Sequence, residues 1–289
     1  MVVHRIKGKE KIMFDVNIIS TGSKGNCVVI NDAVMCDAGL TKKKIVDSGY
    51  DLDKLKVLLI SHKHADHTNL PFIRWALANN VEVHLPQDVI DMLIEENKCE
   101  VTDYLNRNLY IHNQLKMHKF EIPHNDITTT IQLSVHPQKH HDIVNYAFVL
   151  EALNTERERL LYSTDLDTIE PTEVGPGLVE LGMFHTIILE GNFDEIWLRD
   201  YINIAISSVD PDMDASTLTD KDLDHWVREN YRQLPKNISS GMFRAVQNMR
   251  HLSKQQARLF VRNHLLSNGV YYEVHRSSMF YERPSDWSD

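Results

Sequence analysis

Three imidazoles and a carboxylate fall within the six residues His62 to His67 of the stretch Ser61-His62-Lys63-His64-Ala65-Asp66-His67. A solvated loop rarely carries metal-ligand donors at that density. The four apolar residues before it, Val57-Leu58-Leu59-Ile60, follow the polar Asp51-Leu52-Asp53-Lys54 and read as a buried strand. The cluster then occupies the loop at that strand's C-terminal end, where a rigid sheet presents ligands. His62 and His64, two residues apart, point the same way from an extended backbone, and Asp66 and His67 follow as the turn closes. One stretch therefore holds donors for two metals.

The motif resembles the signature of the metallo-β-lactamase superfamily of hydrolases, and the rest of the chain can be set against that resemblance. It implies an α/β fold, a four-layer αββα sandwich with one or two metals at one edge of the paired sheets. The chain, 289 residues with 42% hydrophobic content, is long enough for one large core. We expect a single domain over residues 1–289 with a helical insertion at about 201–245, before the last metal motif. Met1 to Lys11 is short, mixed and charged, without an apolar signal region, and no apolar run approaches bilayer length. These features lead us to expect a cytoplasmic protein that makes no membrane contact. Cys27, Cys36 and Cys99 are odd in number and lack zinc-type spacing, so no disulfide framework is implied.

The formal charge of -10 bears on substrate. A protein that grips long nucleic acid shows a basic stripe, and only Lys42-Lys43-Lys44 approaches one. Action on a short end or a small phosphodiester fits this charge better than broad, sequence-independent grip.

Along the chain, Met13 to Ile19 reads as a first strand. The turn-forming Thr21-Gly22-Ser23-Lys24-Gly25-Asn26 follows it. That stretch reads as a plain turn or as a phosphate cradle; a similar Gly-Ser-x-Gly-Asn turn in the YycJ-like bacterial branch of the superfamily places Ser23 and Asn26 near substrate. Cys27 to Ile30 and Ala33 to Cys36 form a hairpin about Asn31-Asp32, ending in Asp37-Ala38-Gly39-Leu40. Asp37 reads as a cap for a helix over Thr41 to Ser48; the resemblance implies instead that it holds a histidine of the metal loop from behind. Leu70 to Asn79, Val81 to Leu85 and Gln87 to Asn97 continue the strand and helix alternation of an α/β protein. Lys98 to Asp126 is hard to read, and its His112, His118 and His124 read as exposed or hydrogen-bonded.

Thr128 to Val135 alternates as a half-buried strand and leads into His136-Pro137-Gln138-Lys139-His140-His141-Asp142. The resemblance requires one histidine here. His136, His140 and His141 compete, and His141 is chosen because His141 to Phe148 resembles a His-Asp segment before an aromatic strand in YycJ-like members, with His140 as runner-up. Asn145 then lines the pocket. Arg159 to Tyr162 is a strand ending in Ser163-Thr164-Asp165, which looks like the family's bridging aspartate; Asp167 reads as solvated or a cap. Thr186 to Leu189 ends in Glu190-Gly191-Asn192, where Asn192 is expected at substrate or in a structural turn. Arg250-His251-Leu252-Ser253, before a helix over Lys254 to Ser267, resembles the final ligand element and assigns His251. Val270 to His275 closes as a strand. Asp210 to Pro235 exceeds the length of compact YycJ-like members and would serve as a lid, a homodimer contact or a substrate selector.

The resemblance therefore implies His62, His64 and His141 on one divalent ion, Asp66, His67 and His251 on a second, and Asp165 bridging, with zinc or manganese as the expected metal. Asp66 doubles as the catalytic base. The leading expectation is a metal-dependent phosphodiesterase, a nuclease acting on DNA or RNA ends. Hydrolysis of a cyclic nucleotide or other small phosphodiester, ester or thioester hydrolysis, and a non-catalytic metal-binding partner protein are the alternatives.

Overall fold

The computed structural model describes residues 2–5, 14–97, 108–112, 117–124, 127–153, 157–196, 203, 206–207, 209–213, 217–219, 222, 225–226, 229–230 and 251–276. Most of the expected insertion, Cys99, and the C-terminal tail after Arg276 lie outside them. Two sheets carry the fold. The six-stranded sheet runs in the order β2 (Val16–Ser20), β3 (Cys27–Ile30), β4 (Val34–Cys36), β5 (Val57–Leu59), β6 (Glu82–Leu85), β7 (Leu109–Ile111). The seven-stranded sheet runs β1 (Val2–Arg5), β13 (Leu265–Val274), β12 (Phe184–Glu190), β11 (Arg159–Ser163), β10 (Ile143–Ala152), β9 (Ile127–His140), β8 (His118–His124).

Three apolar layers hold these parts together. Val34, Val57 and Leu59 from the first sheet meet Leu133, Phe148 and Tyr162 from the second, filling the space between the sheets. On the outer side of the six-stranded sheet, helices α1 (Lys42–Asp47), α2 (Leu70–Ala78) and α3 (Gln87–Asn97) bury Ile45, Phe72, Ile73, Ile90 and Leu93 against Leu58, Val83 and Leu85. Helix α4 (Lys254–His264) buries Ala257 and Phe260 against Ile187, Leu189 and Tyr271 on the outer side of the other sheet. The layer order is helix, sheet, sheet, helix. A fully buried aromatic such as Phe72 contributes roughly 2–3 kcal/mol to this packing.

Local chemistry explains the boundaries. Thr41 caps α1 by accepting from the Lys44 amide, Asn69 caps α2 by accepting from Phe72, and Ser253 with Gln256 forms a capping box on α4. Asn31 and Asp32, at φ +51° and +55°, make the left-handed turn between β3 and β4. The helix expected to reach Ser267 stops at His264, because the chain from Leu265 onward pairs with β12. No helix among the described residues is long and apolar enough to cross a membrane.

The direction of pairing positions the site. β4, β5, β6 and β7 run parallel in one sheet, and β11, β12 and β13 run parallel in the other. In α/β sheets, ligands collect beyond the carboxyl ends of parallel strands. Asp37, His62, Asp165, Glu190 and His275 all stand at or just past such ends. Asp37, Asp165 and His275 take φ of +59°, +56° and +55°, a sparsely populated backbone that turns the chain sharply as it leaves its strand. Gly39 serves the same junction: a Cβ there would lie 1.8 Å from the Asp66 carbonyl oxygen, so only glycine lets the β4 loop lie against the histidine loop.

His112, in the stretch that resists reading from sequence, is buried, and its Nε2 lies 2.7 Å from the Ile60 carbonyl oxygen. Burial depresses its pKa from 6.5 to about 3. Below pH 6.5 the unfolded chain takes up a proton that the fold refuses, so this residue's contribution is present above pH 6.5 and is lost as pH falls toward 3. At pH 5 the loss is about 2 kcal/mol. Urea unfolding of metal-free protein at pH 7.5 and pH 5 should show a shallower pH dependence for His112→Gln than for the native chain; equal slopes would remove His112 as the cause.

Candidate metal centre

Asp165 stands at the middle of the site, 2% exposed. Its Oδ2 lies 3.4 Å from His62 Nε2, 3.1 Å from His67 Nε2 and 3.8 Å from His140 Nε2. Its Oδ1 lies 3.2 Å from His275 Nε2 and 3.6 Å from His251 Nδ1. The donors fall into overlapping groups: His62, His64, His140 and Asp165; Asp66, His67, Asp165 and His275; and Asp165, Glu190, His251 and His275. Asp165 belongs to all three.

Around the donors lies a shell of buried polar groups. Asp37 is fully buried, and its Oδ2 accepts from His67 Nδ1 at 2.8 Å, Ser61 Oγ at 2.9 Å and the Tyr162 hydroxyl at 2.7 Å, while Oδ1 accepts from the Ser61 amide at 2.7 Å. Glu190, also fully buried, accepts from the Leu166 and Leu252 amides and lies 2.9 Å from His251 Nδ1. Asp167 accepts from the His141 amide and lies 3.7 Å from His140 Nδ1.

Electrostatics follow this arrangement. Burial and the neighbouring His67 pull His62 down to about 4. Burial also opposes charge on His67, but the Asp165 and Asp37 carboxylates outweigh it and raise its pKa well above the ordinary value. For Asp66, burial raises the pKa, while the facing His275, 3.6 Å away, and the charge of His67 bring it to about 2. Burial would keep His251 neutral; Glu190 overrides it and lifts the pKa to about 9.

Several expectations are corrected. His140, not His141, faces Asp165. The β9–β10 pairing sets Ile143 opposite His140 and leaves His141 and Asp142 in the tight turn, with His141 at φ +55° and its side chain exposed. The group with Asp66 and His67 is completed by His275, while His251, the expected donor there, falls in the group with Asp165, Glu190 and His275. His251 turns its Nδ1 toward Glu190 and stacks on His275 at 5.1 Å between ring centres.

Three asparagines expected to meet substrate are buried and spent on the loops. Asn26 Oδ1 accepts from the Gly22 amide, and its Nδ2 donates to the Asp66 carbonyl at 3.2 Å and lies 2.8 Å from His67 Nε2. Asn145 Nδ2 donates to the Thr164 and Asp165 carbonyls. Asn192 Nδ2 donates to the His275 carbonyl and lies 2.9 Å from His275 Nδ1. Of the expected substrate contacts only Ser23 is exposed. His275 could have been found by noticing that its strand, like those before Asp37, Asp165 and Glu190, ends in an ionisable residue.

The donor set suits a divalent cation. Asp165 Oδ1 and His275 Nε2 are buried without a hydrogen-bond partner although only 3.2 Å apart, and a buried polar atom left in that state normally has a ligand or water to satisfy it. The field that draws a proton onto His67 also draws a metal ion. Cys27 and Cys36 are buried in the core as free thiols, with burial raising the pKa of both, so the donors gathered here are nitrogen and oxygen alone.

Two sheets packed face to face between helices, with histidines and carboxylates gathered at the ends of their parallel strands, define a metallo-β-lactamase-like fold and a metal-dependent hydrolase. The chain belongs to the β-lactamase superfamily: the family described as "Beta-lactamase superfamily domain" matches residues 32–218. Among solved structures it is similar to the metallo-beta-lactamase fold protein YhfI from Bacillus subtilis, at 12% identity and TM-score 0.40 over 62% of this chain and 71% of that one. It is also similar to a diphosphatase from the PhnP family, at 14% identity and TM-score 0.39 over 62% of this chain and 74% of that one. No curated protein matches the chain.

Proposed function

We propose that the protein is a dinuclear phosphodiesterase that cleaves DNA or RNA near an end, as the resemblance to the YycJ-like branch suggests. The observation that carries this reading is Asp165, whose two carboxylate oxygens face different imidazoles: Oδ2 faces His62, His67 and His140, while Oδ1 faces His275 and His251. His62, His64, His140 and Asp165 would hold one ion, and Asp66, His67, Asp165 and His275 the other. Two such ions, zinc or manganese, would supply an acidified water and neutralise charge on phosphoryl oxygens when bound.

The chain's own groups supply the rest. Asp66, one quarter exposed on its side chain, orients the attacking water by accepting a hydrogen bond from it. His251, with a side chain 20% exposed and Nδ1 held by Glu190, presents its other nitrogen as the donor for the leaving oxygen. Asn26, Asn145 and Asn192 keep the three loops from drifting.

Single-stranded DNA, RNA and cyclic mononucleotides digested together with Mn²⁺ or Zn²⁺ test the proposal. Polymer ends should shorten, and Asp66→Ala should slow the reaction by about 10²- to 10⁴-fold. With a net charge of -10, the protein should hold only one or two phosphates, so log affinity should fall with log salt at a slope of about -0.7 to -1.4. Opening of cyclic nucleotides alone would favour the small-substrate reading, and turnover of esters without any phosphodiester would replace the nuclease assignment.

A further inference from the structure

Away from this centre, Glu82, His84 and His118 gather in the space between the two sheets. Glu82 and His84 sit on β6 opposite Val57 and Leu59 of β5, both of which point into the inter-sheet core. Val83 and Leu85 alternate with them and point to the helices. On β8 of the other sheet, Phe120 and Ile122 enter the same inter-sheet core, and His118 precedes them with the same alternation. The trio therefore spans both sheets.

Its geometry is that of converging ligands. His84 Nε2 lies 2.7 Å from Glu82 Oε1 and His118 Nε2 lies 2.8 Å from the same oxygen. Despite that distance, His118 Nε2 makes no hydrogen bond, and His84 Nδ1 has no partner either. The His118 nitrogen approaches the carboxylate without the alignment an N–H donor needs, as expected where atoms face a shared point. His84 has a fully buried side chain, while Glu82 and His118 keep 23% and 18% of theirs exposed. The last two therefore have room to draw back to ligand distance. Tyr110 stacks on His84 at 4.8 Å and lies 4.5 Å from His118, fixing both rings.

We infer that Glu82, His84 and His118 form a separate binding site for a divalent transition-metal ion, zinc above all, that ties β6 to β8 and closes this edge of the sandwich. Two imidazoles and a carboxylate are a zinc donor set, and the bond would join strands from different sheets. The site stands independently of the hydrolytic reading, since it shares no residue with the centre at Asp165.

Zinc content of the full chain after equilibrium dialysis tests it. His118→Ala and Glu82→Gln should each hold one equivalent less than the native protein. Asp165→Asn should keep this equivalent and lose it when His118→Ala is added. The native protein should gain thermal stability from zinc that Asp165→Asn retains and the double variant lacks. If His118→Ala fails to fold, as circular dichroism would show, Glu82→Gln decides because it preserves volume. Native zinc content in Glu82→Gln would overturn the site.

Discussion

If the centre holds two ions as proposed, Asp165→Asn should release both at once. The carboxylate is buried with one oxygen among His62, His67 and His140 and the other beside His275 and His251. Asparagine offers a single neutral acceptor, so neither position keeps its shared anionic ligand. Groups that only orient a ligand cost about 10- to 100-fold in metal affinity when removed, and loss of the ligand itself must exceed that at each position. Elemental analysis after dialysis should show both occupancies lowered together, and hydrolysis should fall by more than about 100-fold. Full retention of one of the two ions would mean that Asp165 serves one position only.

Asp37→Asn should damage stability more than its place behind the ligands suggests. The Asp37 carboxylate is fully buried and accepts four hydrogen bonds, from the Ser61 amide and hydroxyl, His67 Nδ1 and the Tyr162 hydroxyl. Burial raises its pKa, but the His67 charge and hydrogen bond outweigh burial and leave it lowered. An amide there turns an NH₂ toward donors and leaves His67 without its anion. Removing one partner of a buried pair costs about 3–5 kcal/mol, which urea unfolding of the metal-free protein would read directly. Tyr162→Phe, which loses one hydroxyl, should cost only about 1–2 kcal/mol. Equal losses in the two variants would show that the carboxylate's charge is not what holds the junction.

The parts of this molecule that could be read from sequence are those set by local chemistry. The strand before His62, the helix capped by Thr41 and the turn at Asn31-Asp32 each depend on neighbours a few residues away, and the structure has them within a residue or two. Choices made across strands were not readable. Whether His140 or His141 enters the centre depends on where the β9–β10 hairpin turns, and both residues look alike in sequence. His275 joins the centre because β13 pairs parallel to β12, a contact that follows a long stretch lying largely outside the described residues. Asn26, Asn145 and Asn192 look like substrate contacts by type and position; only their burial and bonded carbonyls reveal that they hold the loops. Most of residues 201–245 lies outside the described residues, so the expected insertion stands as a sequence reading.

The partition of the centre between two sheets has a consequence for how the chain becomes active. Asp37, His62, His64, Asp66 and His67 follow strands of one sheet, whereas His140, Asp165, Glu190 and His275 belong to the other. Neither half can form the site alone, and the pairings that join the halves are distant in sequence. Contacts of that kind form slowly, because the entropy of closing long loops is lost before they return anything. Catalytic competence should therefore appear late in refolding, after secondary structure is recovered. Metal present during that interval binds most tightly to chains whose sheets have already docked, drawing the equilibrium toward the native state.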